Sequence, residues 1–157
     1  MDLEPVVKTT SELTPIGQAF RYALKAARLF EGATAPNPPV GCALLDADGG
    51  ILSIGAHQAA GGPHAERAAL AELPLGVRPH IAVVTLEPCA HYGRTPPCVD
   101  GLIEAGVKKV WIGTKDHNPR VAGGGAGKLS DAGIEVHFLP DVQERWAQDY
   151  HLDCQRL

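Results

Sequence analysis

Apolar and polar positions alternate along this chain in two rhythms. In "IGQAFRYALKAARLF", Phe20, Leu24 and Ala27 recur at helical spacing, and Thr14-Pro15 reads as an N-cap followed by proline at the first helical position. Gly32 can stop that helix. "VGCALLD" and "ILSIGA" are short apolar runs on either side of "ADGG", which predicts an antiparallel hairpin closed by an Asp-Gly turn. The loop "AAGGP" then leads into "HAERAALAEL", rich in good helix formers and starting near His64. Beyond it "HIAVVTLE" reads as a buried strand and "CVDGLIEAG" as a helix closed by Gly106. "KKVWIG" reads as a strand, "KLSDAG" as a short helix ending, "IEVHFL" as a last strand and "DVQERWAQDYHLDCQRL" as a C-terminal helix.

The predicted order is therefore α-β-β-α-β-α-β-α-β-α. Helices between strands imply parallel pairs covered on both faces, and the hairpin adds an antiparallel pair. The expected fold is α/β, a three-layer α/β/α sandwich with a mixed five-stranded sheet. Residues 1–13 read as a loose lead-in, and residues 14–157 as a single domain. A chain of 157 residues is long enough for a real core.

Charge narrows the partners. The formal net charge is −4, from 14 basic and 18 acidic residues, which gives no reason to expect a nucleic-acid backbone. No apolar window of about 18 residues suggests a membrane span, and the acid-containing start "MDLEPVVKTTSEL" does not read as a secretory signal. A cytoplasmic setting is expected, in which cysteines stay reduced and paired ones mean metal or catalysis more often than disulfides.

Four residues then carry the chemistry. His64, Cys89 and Cys98 offer one imidazole and two thiolates, a donor set that suits tetrahedral Zn²⁺, one ion per chain. Three protein ligands leave a fourth position for water, the mark of a catalytic site. His-x-Glu ("HAE", 64–66), then Pro-Cys (88–89), then a second cysteine is the order found in zinc-dependent nucleobase deaminases. In the first turn of its helix Glu66 is free to face the bound water as general acid and base. Cys89 and Cys98 open the next helix region, where backbone N–H groups stabilise thiolates. The general signature has two residues between its cysteines; here eight intervene, residues 90–97.

At that loop the chain resembles the riboflavin-biosynthesis pyrimidine deaminases, the deaminase half of a bifunctional deaminase/reductase in the cytidine deaminase-like superfamily. "GGPHAE" and "TLEPCAHYGRTPPC" carry the resemblance, with "APNPPVGCALL", "GAHQAAGGPHAE" and "DHNPRVAGGG" beside them, from about residue 16 to 138. The resemblance implies hydrolysis of the 2-amino group of 2,5-diamino-6-ribosylamino-4(3H)-pyrimidinone 5′-phosphate. The products would be the corresponding pyrimidinedione phosphate and ammonia. It makes His64, Cys89 and Cys98 the zinc ligands and Glu66 the proton shuttle. It places Asn37, His57, His91, Arg94, Asp116 and Asn118 at substrate-contacting positions.

Read by themselves, these six residues have plainer uses. Asn37 between prolines can be a turn residue, His57 a surface histidine at a strand end, His91 a loop histidine and Arg94 a solvated charge. Asp116 and Asn118 can form an Asx turn, and His117 stands where the similar proteins usually have proline. "VAGGGAG" reads as a turn before a short helix, Cys42 and Cys154 as inert thiols, Trp111 as core, and Trp146 as packing for the last helix.

The chain has no room after Leu157 for a reductase domain, so it reads either as a stand-alone deaminase or as part of a longer enzyme. Other amine substrates, guanine, a pterin or an antibiotic precursor, would need the same zinc and Glu66. A non-catalytic zinc-stabilised partner of a separate reductase is the remaining alternative, and a homodimer is suggested by the resemblance alone.

Overall fold

The computed structural model describes residues 14–92, 95–118 and 120–157. The expected lead-in over residues 1–13 and the candidate Arg94 lie outside the described residues. Elements follow one another as α1 (Pro15–Arg28), β1 (Gly41–Leu45), β2 (Ile51–Ala56), α2 (Ala65–Ala71), β3 (Ile81–Leu86), α3 (Cys98–Glu104), β4 (Lys109–Thr114), α4 (Gly124–Asp131), β5 (Glu135–Phe138) and, after a 3₁₀ turn over Leu139–Asp141, α5 (Arg145–Gln155). The order predicted from the apolar pattern holds element by element.

The sheet runs β2-β1-β3-β4-β5. Strand β1 is antiparallel to both β2 and β3, while β3-β4 and β4-β5 are parallel. The turn joining β1 to β2 is held by Asp46, whose Oδ1 accepts the N–H groups of Asp48 (2.9 Å) and Gly50 (2.8 Å). This is the local side-chain bonding that makes aspartate a turn residue.

Two apolar cores form, one on each face. On one, Ala65 and Ala69 of α2, Val99 and Leu102 of α3, and Ala126 and Leu129 of α4 pack with Leu44, Val84, Val110 and Ile112. On the other, Ala19, Phe20 and Leu24 of α1 and Trp146, Ala147 and Cys154 of α5 pack with Ala43, Leu45, Ile81 and Val83. Alternate residues of β1 and β3 thus serve opposite layers, as strand geometry requires. Burial holds the Cys42 thiol well above its ordinary range, and the Cys154 thiol is pushed up to about 12 for the same reason, in keeping with two inert thiols.

Two expectations shift. Trp111 is only half-buried, stacked on His137 with ring centroids 4.3 Å apart at the second core's margin. The glycine run read as a turn belongs largely to α4, which begins at Gly124. Isolated glycines disfavour a helix; this one is held from outside, by a carboxylate described below.

Candidate zinc and substrate site

Antiparallel β1 brings its amino end to the rim where β2, β3 and β4 finish. Cys42 pairs with Gly55 and Val84, and Val84 with Ile112. Asn37 before β1, His57 after β2, Glu87 and Cys89 after β3, and Asp116 after β4 therefore gather at one edge. That edge includes the carboxyl ends of the parallel strands, where open α/β sheets bind ligands.

Helix α2 enters this rim with His64 as its N-cap, in extended conformation, and Glu66 in its first turn. The helix lies unusually close to β2, because a Cβ at Gly55 would sit 2.3 Å from the Ala69 nitrogen and 2.6 Å from the Ala65 oxygen. Only glycine admits that approach. Helix α3 begins at Cys98, and the 90–97 loop returns its thiol to the first cysteine: the Cys98 backbone N–H donates to Cys89 Sγ at 3.2 Å.

His64 Nδ1 lies 3.1 Å from Cys98 Sγ and 3.7 Å from Cys89 Sγ. One ligand atom from each of the three residues lies within 4.8 Å of the others. Zinc bonds of about 2.0–2.3 Å in tetrahedral array put donor atoms roughly 3.5–3.8 Å apart, so the cluster is already close to the size of a zinc site. The Cys98 thiol's hydrogen bond, followed by those from His64 and the Cys98 N–H, brings Cys89 down to about 4 despite partial burial. The same bond, aided by burial, drives Cys98 up. The hydrogen bond to Cys89 raises His64.

Glu66 is 4% exposed. Burial, reinforced by the nearby Cys89 charge, pushes its carboxyl up to about 7, the range suited to passing protons near neutral pH. It lines a cavity of about 240 Å³ together with Asn37, His57, His64, Glu87, Cys89, His91 and Asp116. A larger groove of about 610 Å³ shares Asn37, His64, Cys89 and His91 with it, and adds Arg67.

Five of the six predicted substrate residues can thus be placed. Asn37 and His91 are exposed on the cavity wall. His57 is not the surface histidine its sequence position suggests: it is 3% exposed. Its Nδ1 donates to the Pro63 oxygen at 2.9 Å, and Nε2 is buried with no protein partner. Asp116 lines the cavity and also accepts the Asn118 N–H at 2.9 Å. Asn118 lies outside that lining, and its Oδ1 accepts the Arg120 N–H at 3.0 Å, the plain Asx use.

Sequence reasoning passed over Glu87. It is 4% exposed and lines the cavity, and both its oxygens are engaged by backbone N–H groups. An acid between an apolar strand and a metal-binding cysteine was the available signal.

A mixed sheet with a His/Cys/Cys cluster and a buried glutamate at one rim defines the class of zinc-dependent deaminases. Residues 14–114 match the cytidine and deoxycytidylate deaminase zinc-binding region, and the chain belongs to that family. It is similar to the riboflavin biosynthesis protein RibD of Haemophilus influenzae, 54% identical over 125 residues that cover 78% of this chain and 33% of the relative. The solved RibD of Acinetobacter baumannii superposes with a TM-score of 0.79 at 40% identity, covering 92% of this chain and 39% of that one. A Thermotoga maritima diaminohydroxyphosphoribosylaminopyrimidine deaminase/5-amino-6-(5-phosphoribosylamino)uracil reductase does so with a TM-score of 0.75 at 36% identity, covering 90% and 39%. The chain spans about a third of the length of the curated relatives it matches.

Proposed function

We propose that residues 14–157 act as one deaminase domain that hydrolyses 2,5-diamino-6-ribosylamino-4(3H)-pyrimidinone 5′-phosphate to 5-amino-6-ribosylaminopyrimidine-2,4-dione 5′-phosphate and ammonia, in riboflavin biosynthesis. The observation that carries this reading is the buried Glu66, which lines one cavity with His64 and Cys89, the two of them clustered with Cys98 as a metal-sized donor set. The names of the similar proteins supply the substrate class.

His64, Cys89 and Cys98 would hold the zinc, which supplies Lewis acidity toward a water at its fourth position. Glu66 takes a proton as water oxygen adds to C2 of the ring, and hands it to the ring nitrogen. It then moves the second water proton to the departing amine, so that the C–N bond breaks, ammonia leaves and a C=O remains. His57 Nε2, an acceptor when Nδ1 donates to Pro63, faces a donor on the substrate. Asn37 offers both donor and acceptor to the pyrimidine edge, and His91 and Asp116 meet the ribosyl side. In this reading Arg94 binds the phosphate and Asn118 shapes the loop that carries Asp116.

Among the described residues no helix is long and apolar enough to cross a membrane. The proposal includes a cytoplasmic setting, a homodimer, and a reductase that takes the product, the second activity in the Thermotoga name. Ammonia release by zinc-loaded protein, measured against the diaminopyrimidinone phosphate, guanine and pterins, tests it. Selective turnover of the phosphate is the expected result. Turnover of guanine or a pterin alone would replace the substrate, and no turnover of any would remove the enzyme reading.

A further inference from the structure

Glu87 has no part in the proton path, yet it is buried at the centre of the rim. Its Oε1 accepts the N–H groups of Asp116 (3.2 Å) and Gly123 (2.9 Å), and its Oε2 accepts that of Ala126 (3.0 Å). Its own N–H donates to the Thr114 oxygen at 2.9 Å. One carboxylate thus grips the β4–α4 connection at both ends, forty residues or less along the chain from itself. The same side chain lies two positions before Cys89.

The fit is tight from the other side as well. A Cβ at Gly125 would fall 1.9 Å from the Pro88 oxygen and 3.3 Å from Glu87 Cγ. The start of α4 therefore abuts the Glu87-Pro88 backbone directly, and only glycine allows it. A carboxylate on the unpaired N–H groups of a helix start is favourable by charge and by hydrogen bonding. Here it also satisfies the N–H of Ala126, which is buried at the start of the helix.

We infer that Glu87 is a positioning residue. It joins the metal-bearing end of β3 to the loop carrying Asp116, and so sets how far the ribosyl side of the cavity stands from Cys89 and Glu66. The inference rests on the proposed function, in which Asp116 meets the substrate. Glu87 itself, with both oxygens occupied by backbone, neither touches the ring nor moves a proton.

Glu87→Gln is nearly isosteric but leaves a single acceptor oxygen and turns an NH₂ toward a backbone N–H. Weakening a buried, charge-assisted contact should raise KM for the diaminopyrimidinone phosphate about tenfold to a hundredfold. Zinc content should be unchanged and kcat should move far less than KM. Amide exchange read by mass spectrometry should quicken over residues 115–126 and not in β3. Glu87→Asp, which keeps the charge and shortens the reach, should show the same pattern.

Unaltered KM and exchange in a folded variant would overturn the inference. So would a loss confined to kcat, which would put Glu87 at the reacting atoms. Loss of zinc or of folding in both variants would make it a residue of the fold alone and also overturn it. Wild-type turnover is read first: its absence defeats the proposed function, and the exchange data then judge the grip on the loop.

Discussion

On one face of the sheet α1 and α5 run 14 and 11 residues; on the other α2, α3 and α4 run only seven, seven and eight. Helices of two turns are marginal by themselves, and these three depend on what meets their first residues. His64 and Cys98 begin two of them and belong to the metal cluster, and the third starts on the Glu87 carboxylate. The long helices bury apolar stripes and carry no site residue. Cover comes from length and packing; chemistry comes from short helices aimed end-on at the rim.

Zinc removal should break this contrast most sharply. Chelation should take ammonia release to background and quicken amide exchange in α2 and α3, while α1 and α5 keep their protection. Because His64 and Cys98 are both raised without metal, zinc uptake near neutral pH must expel protons. Affinity should fall as pH falls, and the binding heat should depend on the buffer's ionisation enthalpy. Next comes Glu66→Gln, expected to cost about 10²–10⁴ in kcat with zinc retained by elemental analysis.

Phe20→Ala tests the opposite face. Phe20 is fully buried, and truncation should cost about 3–5 kcal/mol in denaturant unfolding while leaving kcat per folded molecule unchanged. A fall in kcat would mean that the covering face also tunes the site. Smallest is Lys128→Ala, which removes the 3.0 Å ion pair to Asp100 between α4 and α3. That pair is partly exposed, so unfolding should shift by no more than about 1 kcal/mol.

The elements with a clear apolar rhythm are legible in the sequence. Phe20, Leu24 and Ala27 mark α1, the turn at Asp46 marks the hairpin, and the metal set is written into His-x-Glu and Pro-Cys. What escaped depends on residues distant in sequence. The start of α4 is a glycine run whose partner lies 39 residues upstream, and no local propensity reports such a hold. His57 follows a strand and reads as surface, but the 57–63 loop folds back over it so that Pro63 meets its ring. Asn118 lies in a stretch that departs from the family pattern at His117, and its Oδ1 accepts the Arg120 N–H in the local turn.

The inverted strand β1 has a practical consequence. With Asn37, His57, Cys89 and Asp116 at one rim, the opposite rim, among the described residues, receives the 46–50 turn with Pro15 at the start of α1 packed against Gly49, and the segments leading into β3, β4 and β5. A strand of five residues separates the two by about 16 Å. Loop extensions, fluorescent labels or fused domains placed at 46–50 would be mechanically remote from the reacting ring, which makes that turn the natural handle for tethering the protein without silencing it.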